Sequence, residues 1–166
     1  MTNLDNINGK ILSLQELEAK IAAWRESGKQ IVFTNGCFDI LHLGHADYLA
    51  RAADLGDVLV VGLNSDDSIS RLKGPNRPIC DQHSRSFLLA SFSVVNAVVI
   101  FEEDTPENLI RLIKPDLLVK GGDYTPEQIV GAEFVVSLGG SVQCIPLVEG
   151  YSTSSIEARI SNKRTE

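Results

Sequence analysis

The sequence predicts an α/β protein built on a doubly wound parallel sheet of about five strands. Short runs of continuously apolar residues alternate with amphipathic stretches of helical period, as expected when helices cover both faces of a parallel sheet. Polar loops, several of them containing glycine, follow the apolar runs. A chain of 166 residues forms one hydrophobic core and leaves little room for a second, so a single domain is expected.

The first predicted helix covers residues 14–25. Its apolar side chains recur at steps of three and four residues, the period of an amphipathic helix, at Leu14, Leu17, Ile21 and Trp24. Ser13 is a favourable N-cap, and Glu16 three residues later completes a capping box. We therefore divide the chain into a polar leader with this helix, residues 1–28, and a main globular unit, residues 29–166.

Five apolar runs predict the strands, and the segments between them predict further helices. Strands are expected at residues 31–33, 58–63, 94–101, 117–119 and 142–145. Helices are expected at residues 46–55, 66–72, 82–92, 106–113, 127–138 and 154–161. Right-handed crossovers bring the carboxyl ends of the strands to one edge of the sheet. Ligands are therefore expected in the loops after the strands, where the strand order reverses.

Charge and cysteine content argue against several classes of protein. The net charge of −7 disfavours nucleic acid as a partner, because proteins that bind it carry basic surfaces. Three widely spaced cysteines without a C-x-x-C pair indicate reduced thiols. No apolar run reaches the roughly 20 residues of a membrane helix, and the N-terminus does not resemble a signal peptide. We expect a soluble, cytoplasmic protein without a membrane partner, and Met1 with its polar leader favours a stand-alone chain.

A pair of histidines lies where the loop after the first predicted strand turns into a helix. His42 and His45 flank Gly44, and the free N–H groups at a helix N-terminus form an anion site. Gly44 lets a phosphate approach the backbone closely, and imidazole N–H groups can donate to a phosphoryl group. A metal-binding pair and purely structural histidines are the alternatives, although the third histidine, His83, is distant. The fingerprints G-x-G-x-x-G and G-x-x-x-x-G-K-[ST] are absent.

Residues 36–45 resemble the G-x-F-D-x-x-H-x-G-H signature of the nucleotidyltransferase superfamily. More closely, the chain is similar to the bacterial heptose 1-phosphate adenylyltransferases, which also occur as the C-terminal half of a bifunctional heptose kinase/adenylyltransferase. The likeness covers residues 10–160 and is carried by segments 33–39, 61–66, 71–75, 77–78, 101–106 and 118–124. The resemblance implies a Rossmann-like nucleotidyltransferase fold, with residues 29–166 as the nucleotidyltransferase domain.

The resemblance also implies a set of site residues. His42, His45 and Lys73 are expected to be catalytic, because they would stabilise the charge that develops at the α-phosphorus. The residues expected to bind the nucleotide are Thr34, Asn35, Gly36, Cys37, Phe38, Gly44, Lys120, Gly122, Asp123, Tyr124, Ser152, Thr153 and Ser154. The residues expected to bind the second substrate are Asp39, Asn64, Asp66, Arg77 and Arg85.

Most of these residues also have a purely structural interpretation. An isolated lysine or arginine is usually a solvated surface charge. Asp39 is suited to stabilise a turn, and Asp66 is suited to cap a helix, as is the Ser/Thr run before the last one. Ser84 differs from the acidic residue that the family often has before the arginine matched by Arg85.

The implied reaction is the transfer of AMP from ATP to D-glycero-D-manno-heptose 1-phosphate, which gives ADP-heptose and pyrophosphate for the inner core of lipopolysaccharide. ATP and a sugar 1-phosphate are the expected partners, Mg²⁺ is expected mainly through the nucleotide phosphates, and a homodimer is compatible with the family. Two alternatives stay open. One is a cytidylyltransferase acting on glycerol 3-phosphate or another alcohol phosphate, and the other is a non-catalytic nucleotide-binding protein.

Overall fold

A computed structural model describes residues 2–122 and 124–162. The strands in this part of the chain are β1 Ile11–Leu12, β2 Ile31–Gly36, β3 Val58–Asn64, β4 Ala97–Phe101, β5 Leu117–Gly121 and β6 Ser141–Ile145. They form one sheet in the order β1-β4-β3-β2-β5-β6, and every neighbouring pair is parallel. The predicted α/β class and the doubly wound parallel sheet are confirmed.

The sheet has one strand more than the five that the sequence indicated. Ile11 and Leu12 of β1 pair with Val98 and Val99 of β4 at the edge of the sheet. A two-residue strand is too short for a recognisable period in the sequence. The N-terminal segment, residues 1–28, thus contributes a strand to the same sheet as the rest of the chain.

Helices pack around the sheet between its strands. In the described residues they are α1 Asn3–Asn8, α2 Leu14–Glu26, α3 Leu43–Ala53, α4 Asp66–Lys73, α5 Gln82–Ser91, α6 Glu107–Ile113, α7 Ala132–Ser137 and α8 Thr153–Asn162. The helix expected at 127–138 is interrupted: a 3-10 turn at Pro126–Gln128 comes first, and Gly131, with φ +83°, adopts a left-handed conformation before α7. No helix of the described residues is long and apolar enough to cross a membrane.

Apolar side chains fill both faces of the sheet. Neighbouring residues of β2, such as Ile31 and Val32, belong to two separate clusters because successive side chains of a strand point to opposite faces. Leu17 of α2 packs in the first cluster and Leu49 of α3 in the second. Every residue of β3 is buried. Burial on both faces explains why the strands read as continuous apolar runs rather than as alternating patterns.

The strand order reverses at β2, the central strand from which the chain builds the sheet in both directions. The chain proceeds outward through β3 to β4 and then returns to add β5 and β6 on the other side of β2. The loops after β2 and β5 therefore diverge and leave a crevice at their carboxyl ends, which is where open α/β sheets bind ligands.

Candidate active site

A cavity of about 520 Å³ opens at the carboxyl ends of β2 and β5. The predicted site residues that line it are Asn35, Gly36, Cys37, Phe38, Asp39, His42, Gly44, His45, Lys73, Lys120, Tyr124, Ser152 and Thr153. Those that do not line it are Thr34, Asn64, Asp66, Arg77, Arg85, Gly122 and Ser154. Asp123 lies outside the described residues. The fold thus gathers residues from four separate stretches of the sequence around one opening.

The turn from β2 into α3 places the first histidine. His42 is the N-cap of α3, and its Nδ1 accepts a hydrogen bond from the backbone N–H of Gly44 at 3.1 Å. This bond assigns the ring proton to Nε2, because a neutral imidazole carries only one. A Cβ atom at Gly44 would lie 2.9 Å from the His42 ring, so this close approach requires glycine. The histidine motif therefore forms the cap and first turn of α3, which begins three residues earlier than predicted.

His45 stacks beside His42, with the ring centroids 3.9 Å apart. Burial, together with the charges of His42 and Lys73, lowers the pKa of His45 to about 4. Burial also lowers the pKa of His42. Both rings are therefore neutral at pH 7. The Nδ1 atom of His45 is buried and has no hydrogen-bond partner among the described residues. Such an atom is unfavourable until a polar group reaches it, which indicates a ligand contact.

The backbone of the loop before His42 is strained at Phe38. This residue has φ 46°, in the left-handed region that side chains other than glycine seldom adopt. Its ring lies 5.3 Å from the His45 ring, centroid to centroid. Strained residues persist where the surrounding structure holds them and are concentrated at functional sites. Phe38 is thus fixed as part of the wall beside the histidines.

Two lysines bring positive charge to the cavity. Lys120 donates from Nζ to Oδ1 of Asn35 at 2.6 Å, which ties the end of β5 to the end of β2. Burial lowers the pKa of Lys120 to about 8, although the neighbouring Cys37 partly opposes this shift. The side chain of Lys73, the last residue of α4, lines the cavity and makes no ion pair or hydrogen bond with another described residue. Its charge is available to an anionic ligand.

Arg85 was expected to bind substrate, but the structure places it inside the protein. Its side chain is fully buried. The guanidinium donates to the carbonyl oxygens of Cys37, Asn64 and Cys80 and to Oδ1 of Asp66, at 2.7–2.9 Å. These bonds join the loop after β2, the end of β3 and the beginning of α5. Arg85 therefore holds the cavity wall together from behind and does not face the cavity.

Asp39, which lines the cavity, is paired with Arg77, which does not line it. The Asp39 carboxylate, with only 3% of its side chain exposed, accepts bonds from Arg77 and from the backbone N–H groups of Ile79 and Cys80. Burial by itself would raise the pKa of Asp39, but these donors more than offset it, so the pKa lies below its usual value. The turn-stabilising interpretation of Asp39 thus describes its contacts in this structure.

Three further predicted residues lie outside the cavity lining: Thr34 and Asn64 are buried, and the side chain of Asp66 is 37% exposed. The Thr34 hydroxyl lies 2.6 Å from the Tyr48 hydroxyl, and the Asn64 side-chain amide donates to Ser68 at 3.0 Å. Asp66 is bound by Arg85, and the cap of α4 is Ser65 rather than Asp66. These residues support the loops, and none of the three lines the cavity.

The opposite wall of the cavity consists mostly of exposed residues near the C-terminus and after β5. Ser152 precedes α8, and its Oγ accepts a bond from the backbone N–H of Ser155 at 3.1 Å, as in helix capping. Ser154 is exposed and does not line the cavity. Tyr124, 53% exposed, lines the cavity, while Gly122 lies beneath its ring. This wall therefore differs from the buried one in how its residues are held.

Sequence reasoning missed several residues that line the cavity, among them Tyr48, Pro106, Gly121, Gln128, Ile129, Val130, Leu147 and Tyr151. One signal was available for some of them. Tyr48 lies one helical turn after His45, on the same face of α3. Leu147 follows β6, and loops at the carboxyl ends of strands are expected near the site. Gln128, Ile129 and Val130 lie in the break before α7, which the sequence did not indicate. Gly121 and Tyr151 adjoin Lys120 and Ser152, and Pro106 directly precedes α6.

The cavity thus offers neutral imidazoles, two lysines and two helix N-termini to a polyanion. His42 and Gly44 are at the start of α3, and Ser152 and Thr153 are at the start of α8. Helix N-termini favour negative charge because their N–H groups are unpaired. Apolar neighbours such as Leu147 and Ile129 provide a surface for a less polar part of the ligand. The arrangement suits a phosphate chain attached to a ring.

The cytidylyltransferase-like family matches residues 33–159, which include all of the cavity lining. The chain belongs to this family and is a nucleotidyltransferase. Among its relatives is the bifunctional protein HldE of Trichlorobacter lovleyi, which is 51% identical over 159 residues, 96% of this chain and 32% of the relative. The bifunctional protein HldE of Syntrophotalea carbinolica is 53% identical over 153 residues, 92% of this chain and 31% of the relative. The chain spans about a third of the length of these curated relatives.

Solved structures show the same fold. The lipopolysaccharide core biosynthesis protein from Thermoplasma volcanium GSS1 superposes with a TM-score of 0.59 and 34% sequence identity, covering 75% of this chain and 100% of that one. The pantoate-beta-alanine ligase from Francisella tularensis, solved with beta-gamma ATP and beta-alanine, has a TM-score of 0.56, covering 92% of this chain and 76% of that one. Its identity of 16% supports the fold alone.

Proposed function

We propose that this chain transfers AMP from ATP to D-glycero-D-manno-heptose 1-phosphate and releases pyrophosphate. The observation that carries the proposal is the identity of 51–53% with HldE proteins over at least 92% of the chain. The resemblance of segments 71–75 and 118–124 to heptose 1-phosphate adenylyltransferases supports the same substrates. The similarity to a lipopolysaccharide core biosynthesis protein supports a product destined for that polymer.

The proposed reaction is a direct displacement at phosphorus. A phosphate oxygen of the sugar phosphate attacks the α-phosphorus of ATP and forms the new P–O bond, while the bond from the α-phosphorus to the bridging oxygen breaks and pyrophosphate leaves. The acceptor is already an anion, so no serine or cysteine nucleophile is required. Catalysis of this kind rests on positioning and on charge stabilisation. His42 and His45 would donate hydrogen bonds to the phosphates, and Lys73 and Lys120 would neutralise their charge.

The residues around the cavity do not fit a Mg²⁺ site held by the protein. Within the described ranges, no group of three or more His, Cys, Asp and Glu side chains is arranged to hold a metal ion. The carboxylate of Asp39 is already occupied by Arg77 and by backbone N–H groups. A Mg²⁺ ion that accompanies ATP would therefore be held by phosphate oxygens and water, as Mg²⁺ often is.

A second candidate function is cytidylyl transfer to glycerol 3-phosphate or another alcohol phosphate. The description of the matching family as cytidylyltransferase-like is the observation that favours it. The chemistry at phosphorus would be the same, and the two functions differ only in the base and the acceptor. The chain's similarity to HldE proteins over nearly its whole length favours the adenylyl reaction.

The deciding experiment measures pyrophosphate release with Mg²⁺ for all four pairings of ATP or CTP with heptose 1-phosphate or glycerol 3-phosphate. We expect release with ATP and heptose 1-phosphate only. Release with CTP and glycerol 3-phosphate would support the same displacement mechanism but would show that the proposed substrates are wrong. Nucleotide binding without pyrophosphate release in any pairing would favour the non-catalytic alternative.

A further inference from the structure

The helix α8, Thr153–Asn162, borders the cavity but has little apolar attachment to the rest of the protein. None of its residues is buried, whereas α3 on the opposite wall buries Tyr48, Leu49 and Ala52. Most helices in proteins are stabilised by an apolar face packed on the core. The position of α8 beside the cavity must therefore depend strongly on its polar contacts.

One of these polar contacts is an ion pair that reaches the buried side of the site. The Arg77 guanidinium is divided between two carboxylates: Nη1 binds Oδ2 of Asp39 at 2.9 Å, and Nη2 binds Oε1 of Glu157 in α8. Asp39 is itself fixed by the backbone N–H groups of Ile79 and Cys80. A continuous chain of charge-assisted bonds thus runs from the loop before His42 to α8.

The spacing within α8 makes this contact relevant to the cavity. Thr153 and Glu157 are four residues apart and therefore lie on the same face of the helix. Thr153 lines the cavity. The contact of Glu157 with Arg77 therefore fixes the orientation of α8 in which the face that carries Thr153 is turned toward the cavity. The side chains of Arg77 and Glu157 are 23% and 33% exposed, so the pair is screened less than a fully exposed one.

We propose that Glu157 is a positioning residue, which acts through Arg77 to hold the N-terminus of α8 against the cavity for nucleotide binding. In this proposal Arg77 connects Asp39 to Glu157 through two ion pairs and does not bind the acceptor substrate. Glu157 does not line the cavity and touches no reacting atom. The kinetic part of its test rests on the proposed nucleotidyl transfer, while the structural part does not.

The test compares Glu157→Gln with Glu149→Gln in the full chain. Glu149 is an exposed carboxylate shortly before α8, with no ion pair or hydrogen bond to another described residue, so it is a matched control. Hydrogen–deuterium exchange should be faster across α8 in Glu157→Gln and unchanged in Glu149→Gln. KM for ATP should rise about three- to tenfold in Glu157→Gln, with kcat within about twofold, since loss of a partly buried pair costs on the order of 1 kcal/mol. Glu157→Asp, which keeps the charge on a shorter side chain, should lie between Glu157→Gln and the unmodified protein in both measurements.

Two results would overturn the inference. One is exchange in α8 that is the same in Glu157→Gln as in the unmodified protein, and the other is a kcat loss at unchanged KM. If the unmodified protein releases no pyrophosphate in any pairing, the proposed function fails, and the exchange rates alone decide whether Glu157 fixes α8. Thermal unfolding of each variant shows whether the fold is retained.

Discussion

The two walls of the cavity are held in different ways. The wall formed by β2 and α3 carries the histidines on core elements, and the fully buried Arg85 binds its loops from behind. The wall formed by α8 has no buried residue and depends on capping bonds and on the Arg77–Glu157 pair. Groups that stabilise a transition state must be preorganised, whereas elements that admit and release ligands come from the less stable parts of a fold. The comparison separates a wall of the site that is anchored in the core from a wall that is held by polar surface contacts.

The largest expected effect concerns the buried wall. Arg85→Met removes the donors of three carbonyl oxygens and the partner of Asp66, and breaking a buried charge network of this kind costs about 3–5 kcal/mol. The free energy of unfolding in urea should fall by that amount. Arg71→Met is the control, because Arg71 pairs with Asp104 at the surface and its loss should cost less than about 1 kcal/mol. Equal losses in the two variants would show that Arg85 does not hold the wall together.

The next effect concerns the histidines on that wall. His45→Ala should lower kcat at least about a hundredfold, because one donor to the developing charge is lost, while KM for ATP changes only a few-fold. Single-turnover measurements with the proposed substrates would separate the chemical step from binding. His83→Ala, which alters an exposed histidine of α5, should leave kcat unchanged. Near-normal kcat in His45→Ala would show that His45 does not stabilise the charge that develops in the reaction.

A smaller effect is expected from pH. Because burial lowers the pKa of Lys120 to about 8, kcat/KM for ATP should fall about tenfold for each pH unit above 8 as the ammonium is lost. This fall should be absent in Lys120→Met, whose activity should be low throughout. The contribution of Lys120 to the free energy of unfolding changes with pH in the opposite direction to kcat/KM. Between pH 8 and about 10.5 the unfolded state holds a proton that the folded state has lost, so the free energy of unfolding contributed by Lys120 rises with pH. A flat kcat/KM profile from pH 7 to 9.5 would contradict the role of Lys120.

The smallest expected effect tests the packing behind the histidines. Thr34 and Tyr48 share a buried hydrogen bond of 2.6 Å. Removing one hydroxyl leaves the other without its partner, so Thr34→Val and Tyr48→Phe should each lower the free energy of unfolding by about 1–2 kcal/mol. The double variant should lose less than the sum, with a coupling of about 1 kcal/mol. Strictly additive losses would mean that the bond contributes nothing to stability.

The sequence predicted the wall formed by β2 and α3 better than the wall formed by α8. The apolar runs and the histidine motif predicted the sheet and the position of the cavity, because burial and strand ends leave a pattern in the sequence. The two-residue strand β1 and the break at Gly131 left too little pattern to recognise. Arginines show the same limit: Arg85 and Arg77 appear in sequence as two cations near a Gly/Pro-rich loop. Only the fold shows that one fills the interior and the other joins two carboxylates.

The bond between Lys120 and Asn35 joins residues 85 positions apart, and this separation has a consequence for biosynthesis. During translation, the chain acquires its histidine loop early, but the buried ammonium reaches it only after β5 has emerged and inserted beside β2. Contacts of such long separation form late, since the intervening chain must first be ordered. A nascent or truncated chain that ends before β5 would carry the histidine signature and Lys73 but would lack Lys120. Activity of this protein therefore reports that the sheet has been completed on both sides of β2.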